Sequence, residues 1–252
     1  MTAFARALSA ETLKMKRTLA LWLALLAPVA IVLMVLAMFV QRTEYAITPE
    51  HPAWQAFVQE NVVIWTLLML PLFVTLEMAL LGQIEHGPNM WKGLYALPIP
   101  RWAIYAAKQC TGLAIIGLSM LVLGAAVVLA GWGLRLAMPG VGFEAPVPWG
   151  QIGEAVGLGF LGAWLIIAIH TFISLRSPSF VVACSTGIAA TVASVLVINS
   201  DWAPYYPWAL PALLSLGGER PEDWLARILF AMIGGIVIAV IGAWEVTRRD
   251  TA

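Results

Sequence analysis

Long apolar runs alternate with short polar segments along the whole chain. A helix needs about 20 apolar residues to cross a hydrocarbon core of about 30 Å, and only helices and closed barrels satisfy their backbone groups in lipid. Six runs come close to or exceed that length: Leu19–Val40, Val62–Leu81, Thr111–Ala130, Ile152–Ser174, Phe180–Ile198 and Trp224–Trp244. The pattern predicts an all-α integral membrane protein with about six transmembrane helices, forming a single domain over residues 1–252.

Composition supports the same class of protein. Apolar residues make up 61% of the chain and charged residues 11%, whereas a soluble domain has about a quarter of its residues charged. The formal net charge is zero, so nothing indicates nucleic acid as a partner. The two cysteines, Cys110 and Cys184, have neither the spacing nor the neighbouring histidines of a metal site.

The first apolar run is expected to stay in the protein as a membrane anchor. Lys14, Lys16 and Arg17 precede it as basic residues precede the core of a signal peptide. However, Leu19–Val40 is longer than the about 7–15 apolar residues of a signal peptide, and no convincing small-residue cleavage site follows it.

Lysine and arginine are unequally distributed between the two sides of the predicted bundle. Cytoplasmic loops carry an excess of these residues in membrane proteins. With the N-terminus inside, ten lie on the inner side and four outside: Arg6, Lys14, Lys16, Arg17, Lys92, Arg101, Lys108, Arg176, Arg248 and Arg249 against Arg42, Arg135, Arg220 and Arg227. We therefore expect a multi-pass protein of the plasma (inner) membrane with both termini in the cytoplasm.

A short amphipathic segment precedes the first span. Phe4, Leu8 and Met15 fall on one helical stripe, which favours a helix lying along the inner leaflet. Glu11 interrupts that stripe. An ordinary helical extension of the first span is therefore the alternative.

The first inner loop, residues 82–108, has the pattern of a short helix. Gly87 and Pro88 suit its start, and Pro98 and Pro100 prevent its continuation. The segment between them, Asn89–Ala96, carries exposed aromatic and aliphatic side chains. It either docks a soluble partner or lies on the membrane surface with its aromatic residues as anchors.

The last outer loop, residues 199–223, is rich in aromatic residues and proline. Trp202, Tyr205, Tyr206 and Trp208 precede the apolar run Ala209–Leu216. That run is too short to span a bilayer but could enter it as a re-entrant helix. An aromatic belt at the outer interface is the competing interpretation.

Small residues predict helix packing. Glycines at 153, 157, 159 and 162 in the fourth span, and at 234, 235 and 242 in the sixth, allow close approach of helix backbones. We expect both helices to be buried in the bundle. Arg227, at the outer start of the sixth span, is expected to pair with Asp223 or Glu222.

The common catalytic and nucleotide-binding signatures are absent from the sequence. It contains no GxxxxGK[ST] phosphate loop, no HExxH pair and no GxSxG turn, so we expect neither ATP binding nor catalysis by this chain, and no cofactor or metal. A membrane-embedded enzyme or accessory factor that works without an ATPase is the alternative, and it needs an acid–base pair such as Glu77 with His170 within hydrogen-bond reach. A secondary transporter is disfavoured because paired repeats and midplane charges are not evident.

Two segments resemble one transporter family. They are the run Glu11-Thr12-Leu13-Lys14-Met15-Lys16-Arg17 and the segment from Glu85 to Lys108, with Trp91-Lys92, Leu97-Pro98-Ile99 and Arg101. Together with chain size and six spans, they resemble the membrane subunit of ABC-2 type transporters. The similarity is to the small six-helix permeases of lantibiotic and antimicrobial-peptide export or immunity, whose bundle is of the type V exporter kind.

The resemblance implies a permease subunit of an ATP-binding-cassette exporter for a peptide, lipid-like or drug-like substrate. Two permease chains, identical or homologous, would form the pathway in the lipid bilayer, and two cytosolic ATPase chains would hold ATP and Mg beneath them. Asn89–Ala96 would be the coupling helix. Its docking residues would be Glu85, Asn89, Trp91, Lys92, Leu94 and Tyr95.

The same resemblance implies a pathway near the subunit interface, with the second and fifth spans prominent. Candidate lining residues are Thr66, Met69 and Phe73 in the second span and Thr186, Thr191 and Ser194 in the fifth.

Overall fold

The computed structural model describes residues 2–16, 18–46, 53–86, 99–216 and 222–248. Within these ranges the chain is helical and contains no strand. In chain order the α-helices are α1 (Ala3–Met15), α2 (Leu19–Ala46), α3 (Ala53–Ile64), α4 (Leu70–His86), α5 (Arg101–Ala137), α6 (Trp149–Arg176), α7 (Phe180–Val197), α8 (Leu210–Ser215) and α9 (Trp224–Arg248). A π-helical turn at Trp65–Met69 joins α3 to α4, and a 3-10 turn spans Ala203–Tyr205.

Among the described residues, six helical segments are long and apolar enough to cross a membrane, which confirms the predicted fold class. They are α2, the continuous α3–α4 segment, α5, α6, α7 and α9. The second span starts at Ala53, and the third extends from Arg101 to Ala137. Both are longer than the apolar pattern predicts. As a result, the segment between α4 and α5 comprises residues 87–100, whereas the sequence predicted a loop over residues 82–108.

The second span changes its helical geometry at Trp65–Met69. The Leu70 N–H donates to the Trp65 carbonyl, five residues earlier, which defines a π turn. Pro71 explains the position: it has no N–H, and in an α-helix its ring would clash with the Leu67 carbonyl four residues earlier. The wider turn relieves that clash and divides the span into α3 and α4.

An aromatic cluster holds the outer half of the second span. The Trp54 indole N–H donates to the carbonyls of Phe143 and Ala145, at 3.2 and 3.1 Å. The Trp54 ring meets Phe143 edge to face and fills the space that a side chain at Gly131 of α5 would need. These contacts fix α3 to α5 and to the loop that follows it.

Small residues hold the inner half of the second span against two other helices. A Cβ atom at Gly82 would overlap Ser174 of α6, and one at Gly187 of α7 would overlap Thr75. Backbones therefore approach closely where α4 meets α6 and α7.

The glycine-rich helices α6 and α9 were expected to be buried in the bundle, and the structure confirms this for only some of their glycines. Gly159 and Gly162 of α6 pack tightly, the latter against the backbone of α8. Gly153 and Gly157 face open space, because they lie on a side of α6 that no described helix covers. The glycines of α9 contact α5 and α6, but most of that helix remains exposed.

The outer loop divides into an exposed part and a buried part. Trp202 and Tyr205 are 75% and 70% exposed. Trp208 instead turns inward to the ring of His170, and α8 is buried against α6 and α9. The aromatic residues of this loop therefore do not form one continuous belt.

Candidate functional site

The predicted docking side chains lie outside the described part of the chain. This applies to Asn89, Trp91, Lys92, Leu94 and Tyr95, and to the side chain of Glu85. The structure does describe the base of the loop that carries them, because α4 ends at His86 and α5 begins at Arg101.

Helix α1 packs against the inner end of α5. Ala7 of α1 forms a buried cluster with Ala103 and Ala107 of α5, with Phe4 and Leu8 against it. These short side chains let the two helices approach closely. Helix α1 is thus packed against α5, the helix that follows the first inner loop.

A buried ion cluster accompanies this packing. The Glu11 carboxylate accepts from Lys14 Nζ at 2.7 Å and from Lys108 Nζ at 2.8 Å. Glu11 is 3% exposed and Lys108 is 1% exposed. Lys108 also donates to the Leu81 carbonyl of α4 at 3.4 Å, so one ammonium group contacts α1, α4 and α5.

The position of Lys108 corrects the sequence analysis. Lys108 was expected among the basic residues of a cytoplasmic loop, but it lies inside α5 and is buried. The ammonium group can be buried at this position because Glu11 neutralises it. The acidic residue that interrupts the stripe of α1 is therefore part of its packing face.

The lysines set the ionisation of Glu11. Burial alone raises the pKa of this carboxyl, but the charges and hydrogen bonds of Lys108 and Lys14 outweigh it and hold the pKa below its ordinary value. Glu11 is thus a carboxylate near neutral pH.

Further polar contacts join the inner ends of the spans. A ring nitrogen of His86 lies 3.1 Å from the Ser174 carbonyl of α6, and the Gln83 amide donates to the Pro178 carbonyl at 3.1 Å. Arg176 of α6 pairs with Glu245 of α9. The inner end of α4 is therefore bonded to α6, and that of α6 to α9.

Glu77 and His170 do not form an acid–base pair. His170 Nε2 lies 3.2 Å from Thr75 Oγ1. Such an interhelical contact is a more common role for a lone histidine than catalysis. Neither oxygen of Glu77 has a hydrogen-bond partner among the described residues. Residues two apart on an α-helix point to nearly opposite sides, so Glu77 points away from the contact that Thr75 makes. The acid–base pair suggested by the sequence for an embedded enzyme is therefore not formed by these two residues.

The candidate pathway residues occupy different environments. Thr66, Phe73, Thr191 and Ser194 are buried within the chain, and Thr186 is exposed, with Met69 between these extremes. Thr191 and Ser194 donate to carbonyls of their own helix. The structure brings the second and fifth spans into contact, mainly through α4 and α7.

An outer cleft of about 420 Å³ lies between the end of α7, the outer loop and the start of α9. Asp201, Asp223 and Arg227 are among its lining residues. Arg227 pairs with Asp223 at 2.9 Å, which confirms one of the two partners expected from the sequence. Among the described residues, no group of three or more His, Cys, Asp or Glu side chains could hold a metal ion.

Sequence reasoning missed two features of the inner site and second span. The ion pair could have been suspected from two opposite charges, Glu11 and Lys108, each placed on an otherwise apolar helix face. The π turn could have been suspected from Pro71 inside an apolar run. Neither signal alone identifies its partner or geometry.

Comparison with known proteins identifies the family. No curated protein matches the chain. The family model described as ABC-2 family transporter protein matches residues 7–196, which extend from α1 to the end of α7 and include the first inner loop and five of the six spans. Since this match covers most of an all-helical six-span chain, the protein belongs to the ABC-2 transporter family and is a membrane transport component of an ABC transporter, not a catalytic subunit.

Proposed function

We propose that this chain is the permease subunit of an ABC exporter and forms the translocation pathway for a peptide, lipid-like or drug-like substrate. The observation that carries the proposal is the family match over residues 7–196 on a bundle with six candidate spans.

A separate ATPase must supply the energy. The sequence contains no GxxxxGK[ST] loop, and partnership with an ATPase subunit is general in this family. We place two ATPase chains, with ATP and Mg, beneath two permease chains. The connection between α4 and α5 is the proposed docking element, with Trp91, Leu94 and Tyr95 in a groove of the ATPase and Glu85, Asn89 and Lys92 setting its register.

The orientation follows from the distribution of basic residues. Apart from the buried Lys108, nine Lys and Arg residues lie on the proposed inner side and four on the outer side. We therefore place both termini in the cytoplasm and the outer loop, with the buried helix α8, near the exit of the pathway.

The pathway is proposed to open between the second and fifth spans. Phe73 of α4 and Thr191 and Ser194 of α7 are buried within a single chain, so α4 and α7 must separate before these three side chains can contact a substrate. Thr66 is also buried but lies beside Gly159 of α6, so its exposure requires the second span to move away from α6 as well. Exposed Thr186 and half-buried Met69 need less movement.

Co-purification with the cognate ATPase tests the proposal. The permease and the ATPase encoded beside it are co-expressed, and we expect a detergent-stable complex. Trp91→Ala with Tyr95→Ala should weaken that complex. The control is Trp202→Ala with Tyr205→Ala, which removes two aromatic rings from the opposite side of the protein and should leave it intact.

Two results would count against this function. Failure of the unaltered permease to retain any ATPase would remove the proposed energy source. A complex that tolerates loss of both Trp91 and Tyr95 would move the docking surface away from the first inner loop.

A further inference from the structure

The ion pair between Glu11 and Lys108 is an unusual way to attach one helix to another. Both side chains are almost completely buried, and their charged atoms are 2.8 Å apart. Removing two charges from water is costly, and a buried ion pair is often no more stable than an apolar pair of similar volume. Packing of Ala7 on Ala103 and Ala107 already attaches α1 to α5.

What the ion pair adds is a fixed register. Alanine contacts are non-directional, so α1 could slide or rotate on α5 at little cost. Sliding or rotation would break the charged hydrogen bond between Glu11 and Lys108. Both movements are therefore costly, because they leave two buried charges unpaired. Buried polar groups fix helix register in this manner in coiled coils.

The position of the pair relates this register to the first inner loop. Lys108 Nζ also reaches the Leu81 carbonyl, which joins α4 to α5 close to the loop between them. Leu81 lies five residues before the end of α4 at His86, and Lys108 lies seven residues after the start of α5 at Arg101. The same ammonium group therefore joins the two sides of the loop and attaches α1 to them.

We propose that Glu11 and Lys108 are positioning residues that lock α1 to the base of the first inner loop, so that α1 and the inner ends of α4 and α5 move as one body when the loop is displaced. This inference rests on the proposed function, in which a cytosolic ATPase displaces the loop. It adds that the N-terminal helix takes part in the movement.

Replacement of the pair by leucines separates positioning from stability. Glu11→Leu with Lys108→Leu keeps a filled, apolar contact and removes the directional bond. We expect the melting temperature to stay within about 3 °C of the unaltered protein, because an apolar pair can replace a buried ion pair without loss. Glu11→Gln removes only the charge of the acid, and Lys14→Gln is the matched control, because it preserves the bond between Glu11 and Lys108.

The register is read by spin-label distances in the full-length chain, with Cys110→Ser and Cys184→Ser as background. One label is placed at exposed Ser9 of α1 and one at Gly133 of α5, where a side chain meets open space. We expect one narrow distance distribution in the background protein and in Lys14→Gln. The leucine pair and Glu11→Gln should both give a broadened distribution.

A second label pair, at Ser9 and at exposed Val181 of α7, tests the coupled movement in the complex with the ATPase. ATP should shift this distance in the background protein. The leucine pair should retain the ATPase but lose the shift.

Two results overturn the proposal. One is a leucine pair with the original distance distribution and the original ATP-dependent shift. The other is a leucine pair that fails to fold, which assigns the two charges to stability. If the background permease does not bind the ATPase, the proposed function fails, while the Ser9–Gly133 distances still decide whether the ion pair holds α1 in register.

Discussion

The Nε2 atom of His170 lies 3.2 Å from the hydroxyl oxygen of Thr75 and joins the fourth span to the second. Gly187 of α7 packs against this hydrogen bond so closely that a Cβ atom at its position would overlap both side chains. Trp208 from the outer loop meets the His170 ring edge to face, with centroids 5.7 Å apart. One histidine thus contacts three other elements, and its hydrogen bond can be tested directly.

Replacing Thr75 by valine should destabilise the protein. Valine has nearly the same shape but cannot hydrogen-bond, so a ring nitrogen of buried His170 loses its partner, at a cost of about 1–3 kcal/mol. The melting temperature of the purified chain in detergent measures the effect. Thr186→Val is the control, because Thr186 is exposed and its hydroxyl bonds only within its own helix. Equal melting temperatures for the two variants would show that the Thr75 contact does not stabilise the fold.

Adding a single methyl group at Gly187 should separate α7 from α4. The new Cβ atom in Gly187→Ala would overlap Thr75 and His170, and overpacking of this kind costs about 1–3 kcal/mol. Gly133→Ala is the matched control, because its Cβ meets open space and alanine is favoured over glycine in a helix by about 1 kcal/mol. The two substitutions should move the melting temperature in opposite directions. A stabilising effect at Gly187 would contradict the close contact.

Trp54→Phe should loosen the outer half of the second span. The phenyl ring keeps much of the packing, but the carbonyls of Phe143 and Ala145 lose their shared donor, at a cost of about 1–3 kcal/mol. Hydrogen exchange of the amides in the loop after α5 should accelerate. Trp202→Phe, at an exposed position, should leave these rates unchanged. An unaltered exchange rate in Trp54→Phe would argue against the carbonyl contacts as the anchor of that loop.

Acidification should loosen the register of α1 on α5, while the alanine contacts keep the two helices together. Burial raises the pKa of Glu11, but Lys108 and Lys14 outweigh it and lower the pKa below the ordinary 4.5. For a carboxyl with a depressed folded-state pKa, the stabilisation is complete above the unfolded-state value and is lost as pH falls through the folded-state value. A spin label at Ser9 should therefore be ordered near neutral pH and gain mobility only below the ordinary pKa of glutamate. Glu11→Gln should remove this acid-dependent step, and a step that persists in it would have to come from another group.

Much of the architecture was predictable from the sequence because membrane insertion is decided segment by segment. Each apolar run satisfies its own backbone hydrogen bonds, so its length alone indicates a span. The ends of the spans were less predictable. Polar residues at the outer start of α3 and the inner start of α5 interrupt the apolar runs but not the helices, so both helices extend beyond the runs that the sequence shows.

In the candidate site, too, the features that depend on one segment were predictable, and those that depend on contacts between segments were not. The position of the first inner loop and its proline boundaries were readable locally, and so was the pairing of Arg227 with Asp223, one turn apart on the chain. The contact of Thr75 with His170 was not readable, since their separation is 95 residues and depends on the register of two helices.

By itself, the sequence determined that this protein has six apolar helices, an unequal distribution of basic residues and no nucleotide-binding loop, because each of these is a property of one segment or of composition. Only the tertiary structure decided that Glu11 neutralises Lys108, 97 residues away, and which glycines lie in helix contacts. The physical reason is that burial and partner choice depend on distances between segments, and the chain sets those distances only when its helices pack.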